Sequence, residues 1–67
     1  MTLINEFDIT DRKKIRLQVI KYCGEDIIDI REYIKVDDEF IFTQKGIYFS
    51  SEWLDKFFLM VEKLRDI

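Results

Sequence analysis

The clearest signal in this chain is alternation. From Ile15 to Val19, Ile15, Leu17 and Val19 point one way, while Arg16, Gln18, Ile20 and Tyr22 point the other. Period two with β-branched enrichment predicts a half-buried strand. Cys23-Gly24-Glu25-Asp26 reads as a hairpin turn, because Gly24 accepts positive φ and the carboxylates suit solvent. The next run places Ile28 and Ile30 inward and Ile27, Asp29 and Arg31 outward. Beyond Arg31 the phase is lost: Glu32 falls on the inward row, and Tyr33 and Ile34 are adjacent. A β-bulge near Glu32 restores order. Lys35 to Glu39 then reads as a polar loop, Phe40–Thr43 as a third short strand, Gln44-Lys45-Gly46 as a turn and Ile47–Phe49 as a fourth strand. Upstream, Phe7-Asp8-Ile9 alternates like a short strand, the first few residues are expected to fray, and Asp11 to Lys14 forms a charged corner.

At Ser50 the period changes. Ser50 is a good N-cap, with Glu52 in the positive first turn. From Ser51 to Asp66, at about 100° per residue, Trp53, Leu54, Phe57, Phe58, Met60, Val61, Leu64 and Ile67 cover roughly half the helix circumference. Asp55, Lys56, Glu62, Lys63 and Asp66 take the other half, with Leu59 as the one apolar intruder. An apolar arc of about 100° seats a helix on one sheet. A wider arc predicts two neighbours, its own sheet and a second subunit met through Trp53, Phe57, Met60 and Leu64. The alternative is a curved sheet that wraps the helix alone. The expected fold is α+β: a four-stranded curved antiparallel β-sheet followed by one C-terminal α-helix (β-β-β-β-α), homodimeric, with residues 1–67 forming a single domain.

Composition strengthens the dimer expectation. A chain of 67 residues hides only about 60 % of its unfolded surface. It has one Cys, no His and therefore no staple, yet 48 % of its residues are hydrophobic; small chains of this kind often oligomerise. No run reaches the roughly 18 to 20 apolar residues that cross a bilayer, and no basic-then-apolar leader is visible. A single Cys suits a reducing compartment. The expected location is the cytoplasm, nucleoid-associated, or the host cytoplasm if the chain is phage-encoded.

Catalysis finds little support. The lone Cys23 has no imidazole partner and reads as an incidental thiol, and Ser50 and Ser51 sit at a helix cap. Asp37, Asp38 and Glu39 crowd one loop, which would suit a hard cation but reads better as a solvated turn. Two glycines make no phosphate loop. The chain is read as a non-enzyme without cofactor or metal.

The net charge of −3 counts against indiscriminate polyanion binding. Its distribution is uneven: residues 1–24 carry five basic and three acidic side chains, residues 25–44 two and seven, residues 45–67 four and four. A local basic ridge is therefore compatible with an acidic whole. An aromatic and basic sheet face is the physical recipe for single-stranded nucleic acid, with bases stacking on rings and cations tracking the backbone. Tyr22 and Arg31 occupy outward positions on neighbouring strands; Arg16, Lys21 and the Arg12-Lys13-Lys14 corner add charge, and Lys45 ends the third hairpin. The competing reading is an ordinary solvent face, with Arg31 paired to Asp29 or Glu32 and Tyr22 covering the sheet edge. Tyr33 and Tyr48 fit either extra stacking surfaces or interface packing.

Ile28-Asp29-Ile30-Arg31-Glu32-Tyr33, followed about a dozen residues on by Lys45-Gly46-Ile47 and then by a helix bearing Trp53, resembles the C-terminal domain of the positive cofactor 4 family. These are transcriptional coactivators with small bacterial and phage relatives. The resemblance runs from Lys13 to Leu64 and is strongest from Ile27 to Trp53. It implies a dimer whose curved sheets offer antiparallel channels to single-stranded DNA, with helices at the centre. It further implies that Tyr22 stacks on bases and that Arg31, Lys45 and Lys13 contact the strand. Glu25, Ile34 and Gln44 depart from the pattern, at places where relatives carry a basic residue, Trp and a basic residue. That lowers the expected affinity and leaves it strongly salt-dependent. The Ser- and Lys-rich arm of the eukaryotic coactivators is absent, which points to a bacterial or phage relative.

The nucleic-acid-binding set is thus Lys13, Arg16, Lys21, Tyr22, Arg31, Tyr33 and Lys45, with single-stranded DNA, a second copy of the chain and transcription or replication proteins as partners. The rival is a protein-interaction module of the same fold that has lost most DNA binding, favoured by the acidic pI, Glu25 and Gln44. Duplex or RNA binding is a third reading.

Overall fold

Three tight hairpins and one long bulge set the architecture. The computed structural model describes all residues from Met1 to Ile67. Strands β1 (Thr2–Thr10), β2 (Lys13–Tyr22), β3 (Glu25–Val36) and β4 (Glu39–Ser50) form a single antiparallel sheet in the order β1-β2-β3-β4. A 3-10 turn (Ser51–Trp53) leads into helix α1 (Leu54–Glu62), and a second 3-10 turn (Lys63–Asp66) follows. Four antiparallel strands and a C-terminal helix are present as expected, but the chain is divided among the strands differently, and the expected turn Cys23–Asp26 and loop Lys35–Glu39 shrink to Cys23-Gly24 and Asp37-Asp38.

The N-terminal segment does not fray into a short strand at Phe7–Ile9. It forms the whole of β1 and pairs with β2 from Thr2 to Thr10, with register shifts that leave Ile4 and Ile9 unpaired. Those two extra residues reset the alternation, which is why the segment does not read as a continuous strand. At the other edge, Phe40–Thr43 and Ile47–Phe49 are not separate strands joined by a turn at Gln44–Gly46. They are one strand, β4, broken by a bulge in which Thr43, Gln44 and Lys45 oppose the single residue Glu32. The irregularity expected at Glu32 is real, and its extra residues sit on the partner strand.

The second and third hairpins are two-residue turns. Cys23 (φ 51°) and Gly24 (φ 78°) join β2 to β3; Asp37 (φ 49°) and Asp38 (φ 65°) join β3 to β4. Positive φ at both central residues matches the right-handed twist of the flanking strands. Asp tolerates that region because its short side chain bonds locally.

Register assigns the faces. Ile15, Leu17 and Val19 share one face with Ile28, Ile30, Ile47 and Phe49. Helix α1 lies on this side: the Phe57 and Phe49 ring centroids are 4.8 Å apart. Ser50 links sheet and helix. Its Oγ accepts from the Glu52 N–H at 3.5 Å and donates to Glu25 Oε1 at 2.8 Å. Glu25, reversed in charge relative to the resembled pattern, thus serves to fix the helix entry.

The single chain encloses little. Only four of its 67 residues are buried, and no helix residue is among them. The molecule measures 38 × 37 × 18 Å with a radius of gyration of 13.5 Å, where a compact chain of this length has about 11 Å. Its accessible surface is 5806 Å², against about 4,500 Å² for a compact monomer of this mass. No helix is long and apolar enough to cross a membrane.

Candidate nucleic-acid interface

The sequence stretches Ile28–Tyr33 and Lys45–Ile47 meet in space. Arg31 on β3 pairs with Gly46 on β4. The Arg31 Nε and Nη2 donate to Asp29 Oδ1 at 3.1 and 3.0 Å, and its Nη1 donates to the Thr43 carbonyl at 2.8 Å. The Thr43 hydroxyl donates to the Glu32 carbonyl at 2.8 Å and accepts from the Lys45 N–H at 3.1 Å. One guanidinium therefore pins the bulge to the neighbouring strand. Gly46 is required beside it, since a Cβ there would lie 2.6 Å from the Ile30 carbonyl oxygen and 2.9 Å from the Arg31 Cα. Asp29 is 4 % exposed, so its carboxylate depends on Arg31. The pairing of Arg31 with Asp29, raised above as the competing reading, is what the geometry contains.

On the face away from the helix lies an open groove of about 690 Å³, lined by residues that include Ile20, Tyr22, Arg31, Phe42 and Tyr48. Tyr22 and Arg31 fall on this same face, as alternation predicted. Tyr22, Phe42 and Tyr48 are 68 %, 71 % and 72 % exposed, the most exposed rings of the chain. Tyr33 is different. It is buried, its hydroxyl accepts from Gln18 Nε2 at 2.7 Å, and the Arg16 guanidinium sits 4.5 Å from its ring centroid. A base reaches the Tyr33 ring only by displacing Arg16.

Most cations of this face are already paired. Arg16 Nε lies 2.8 Å from Glu6 Oε2, and Lys14 Nζ lies 3.1 Å from Glu6 Oε1 and 3.9 Å from Asp8 Oδ1. Lys14 also sits 4.2 Å from the centroid of the Phe40 ring. The hydrogen bond from Lys14, then that from Arg16, holds the Glu6 carboxyl below its ordinary pKa. Lys45, in the bulge, is exposed and has no carboxylate within ion-pair distance.

The expected set is therefore divided. Arg16, Tyr22, Arg31 and Tyr33 share the groove face; Lys45 stands in the bulge of β4 and is not among the residues that line the groove. Lys13 and Lys21 lie in register with Ile34 and Asp26, on the helix-side face, and Lys21 Nζ is 3.2 Å from Asp26 Oδ1. They are not gathered with Tyr22. Among the expected interface residues, Phe57 packs on Phe49, while Trp53, Met60 and Leu64 stand exposed. Sequence reasoning passed over Phe42 and Lys14. Phe40 and Phe42 alternate visibly, but their face cannot be assigned until the bulge fixes the phase of β4. Lys14 was merged into a corner that proves to be the start of β2.

The family model described as Transcriptional Coactivator p15 (PC4) matches residues 9–58. No curated protein matches the chain in sequence. Among solved structures, a PC4 homologue from Burkholderia pseudomallei is similar with a TM-score of 0.87 at 22 % identity, over 96 % of this chain and 88 % of that one. Bacteriophage T5 supplies another, a homologue of the eukaryotic coactivator implicated in recombination-dependent DNA replication. It is similar with a TM-score of 0.73 at 20 % identity, over 90 % of this chain and 74 % of that one. At such identities the structural likeness concerns the fold.

Proposed function

The chain belongs to the transcriptional coactivator p15 (PC4) family, a DNA-binding and non-enzymatic family, and from that premise we propose that it binds single-stranded DNA, without sequence preference, as a homodimer. Its setting is transcription, replication or repair in a bacterial or phage-infected cytoplasm. The observation that carries the reading is the groove: three exposed rings on a sheet face that also presents Arg31. Stacking and backbone contact carry little sequence information, so binding is indifferent to base order.

The dimer reading is supported by the surface the single chain leaves open. Trp53, Met60 and Leu64, on helix α1 and the 3-10 turns at its ends, are 57 %, 64 % and 64 % exposed. A second copy placed against these residues covers the excess apolar area. The particle then has twice the 8.2 kDa of the chain, which sedimentation measures directly.

The functional test is a fluorescence titration with oligothymidine at low salt, using the wild-type chain, Tyr22→Ala and Lys45→Ala. Saturable binding is expected, weakened about tenfold by loss of the Tyr22 ring. A wild-type chain that gives no saturable signal at micromolar concentration removes the proposal. The protein-interaction module remains the second reading, favoured by the pairing of Lys14, Arg16 and Arg31 with carboxylates.

A further inference from the structure

The single-strand reading leaves open whether the groove grips phosphates or bases. Its charges and its rings answer differently. Lys14, Arg16 and Arg31 are matched by Glu6, Asp8 and Asp29 within ion-pair distance, so this row contributes no net charge. A phosphate that engages Arg16 or Lys14 must take the place of the Glu6 carboxylate. The gain is then an exchange of one anion for another. Two of the carboxylates, Glu6 and Asp8, come from β1, most of which precedes the family match.

The rings show no such compensation. Phe42 and Tyr48 lie outside the two motifs Ile28–Tyr33 and Lys45–Ile47, though inside the family match, and both are largely exposed within the groove. Tyr48 neighbours Asp29, and Phe42 neighbours Tyr33, on the edge strand. Arg31 lies between them on β3, facing Gly46, where the absence of a side chain keeps the groove floor low. Flat apolar rings on both sides of a guanidinium match unpaired nucleobases, whose π faces stack on aromatics whatever the base. Duplex DNA keeps its bases stacked inside and offers them nothing.

We propose that this groove holds unpaired bases chiefly by stacking on Tyr22, Phe42 and Tyr48, with phosphate contacts secondary, so that single-strand binding depends only weakly on salt. The inference rests on the single-strand reading and deepens it. It departs from the strong salt dependence that the sequence suggests, because Arg16, Lys21 and Arg31, three of the five cations in the expected set, are paired within the fold. Lys35, in register with Phe40, and Lys45, in the bulge, have no carboxylate within ion-pair distance, so the slope of log affinity on log salt is no steeper than about −1.4 per subunit, about −0.7 for each.

The test titrates the full chain with oligothymidine and with an abasic oligomer of equal length, across a series of salt concentrations. Wild type is compared with Phe42→Ala, Tyr48→Ala, the double variant and Tyr48→Phe. Each alanine is expected to weaken oligothymidine binding about tenfold and the pair about a hundredfold, while Tyr48→Phe binds as wild type. The abasic oligomer binds at least tenfold more weakly than oligothymidine. Both positions are exposed, and far-UV circular dichroism confirms that the variants remain folded. The inference alone is overturned if wild type binds but the double variant matches it, if the abasic oligomer binds equally well, or if the salt slope is several-fold steeper. Failure of wild type to bind either oligomer removes the single-strand reading and this inference together.

Discussion

On the groove face of the sheet, Gln18, Asp29 and Tyr33 are buried and each has a hydrogen-bonded partner. On the helix face, only Ile28 reaches comparable burial, although the isoleucines, leucines and phenylalanines are concentrated there. The usual relation is inverted: polar groups form the best-enclosed cluster, and the apolar side stays open. Buried polar groups are costly unless every partner is in place, so the groove face has to be completed within one chain. Apolar surface is non-directional and can be completed by a second copy. The contrast explains how one small sheet can keep a rigid binding face while leaving its hydrophobic core to be assembled between subunits.

The largest expected effect strikes the completed face. Arg31→Ala leaves the buried Asp29 carboxylate without its partner and frees the Thr43–Lys45 bulge. A loss of about 3–5 kcal/mol in unfolding free energy is expected, the usual cost of orphaning one member of a buried pair. Denaturant titration at fixed protein concentration measures it. Gly46→Ala should act similarly, because its Cβ meets backbone that cannot rotate away. A near-wild-type midpoint in both variants would mean that the motif residues are not what fastens β3 to β4. For the same reason Arg31→Ala is a poor probe of DNA contact, since it removes the groove wall along with the charge.

Next in size is a change on the open side. Met60→Asp places a charge in the middle of the exposed apolar stripe, at a position 64 % exposed in the single chain. If a second copy covers that stripe, the dimer dissociation constant rises about a hundredfold or more, corresponding to about 3 kcal/mol. Sedimentation velocity across a dilution series reads this out. An unchanged mass distribution would show that the helix stripe is not the seat of association. The comparison is sharpened by measuring both variants both ways, since Arg31→Ala should alter stability more than subunit affinity.

How much of this was readable in the sequence follows the same division. Strand β2, the helix and the phase error at Glu32 were legible, because each depends on periodicity within one element. Tyr22 and Arg31 could be placed on one face for that reason. Strand β1 was misjudged because Ile4 and Ile9 shift its phase, and β4 was split because Thr43-Gln44-Lys45-Gly46 has turn-like composition. The compensation of Arg16 by Glu6 lies ten residues away along the chain and emerges only with the β1–β2 register. Composition counted Arg16, Lys14, Glu6 and Asp8 as separate charges; the fold makes them one neutral group. The exposure of Phe42 depends on the bulge, so it too lay beyond any local pattern.

That neutral group sets the smallest effect and the finest test of the comparison. Glu6 titrates below the ordinary carboxylate value of 4.5 because Lys14 and Arg16 donate to its charged form. A depressed folded pKa means that the carboxylate favours folding above the ordinary value, and that this contribution is lost as pH falls through the lower, folded value. Stability of wild type should therefore decline on acidification below pH 4.5, whereas Glu6→Gln should start slightly lower and lose less over that window. The pair is solvent-accessible, so the difference is small and is seen best at low salt. In the same variant, Lys14 and Arg16 are released from their carboxylate, so the groove gains one positive charge. Single-strand binding should then tighten modestly at low salt, and the slope of log affinity on log salt should steepen by about 0.7. If Glu6→Gln leaves that slope unchanged, the paired cations do not face the bound strand, and the rings alone define the groove.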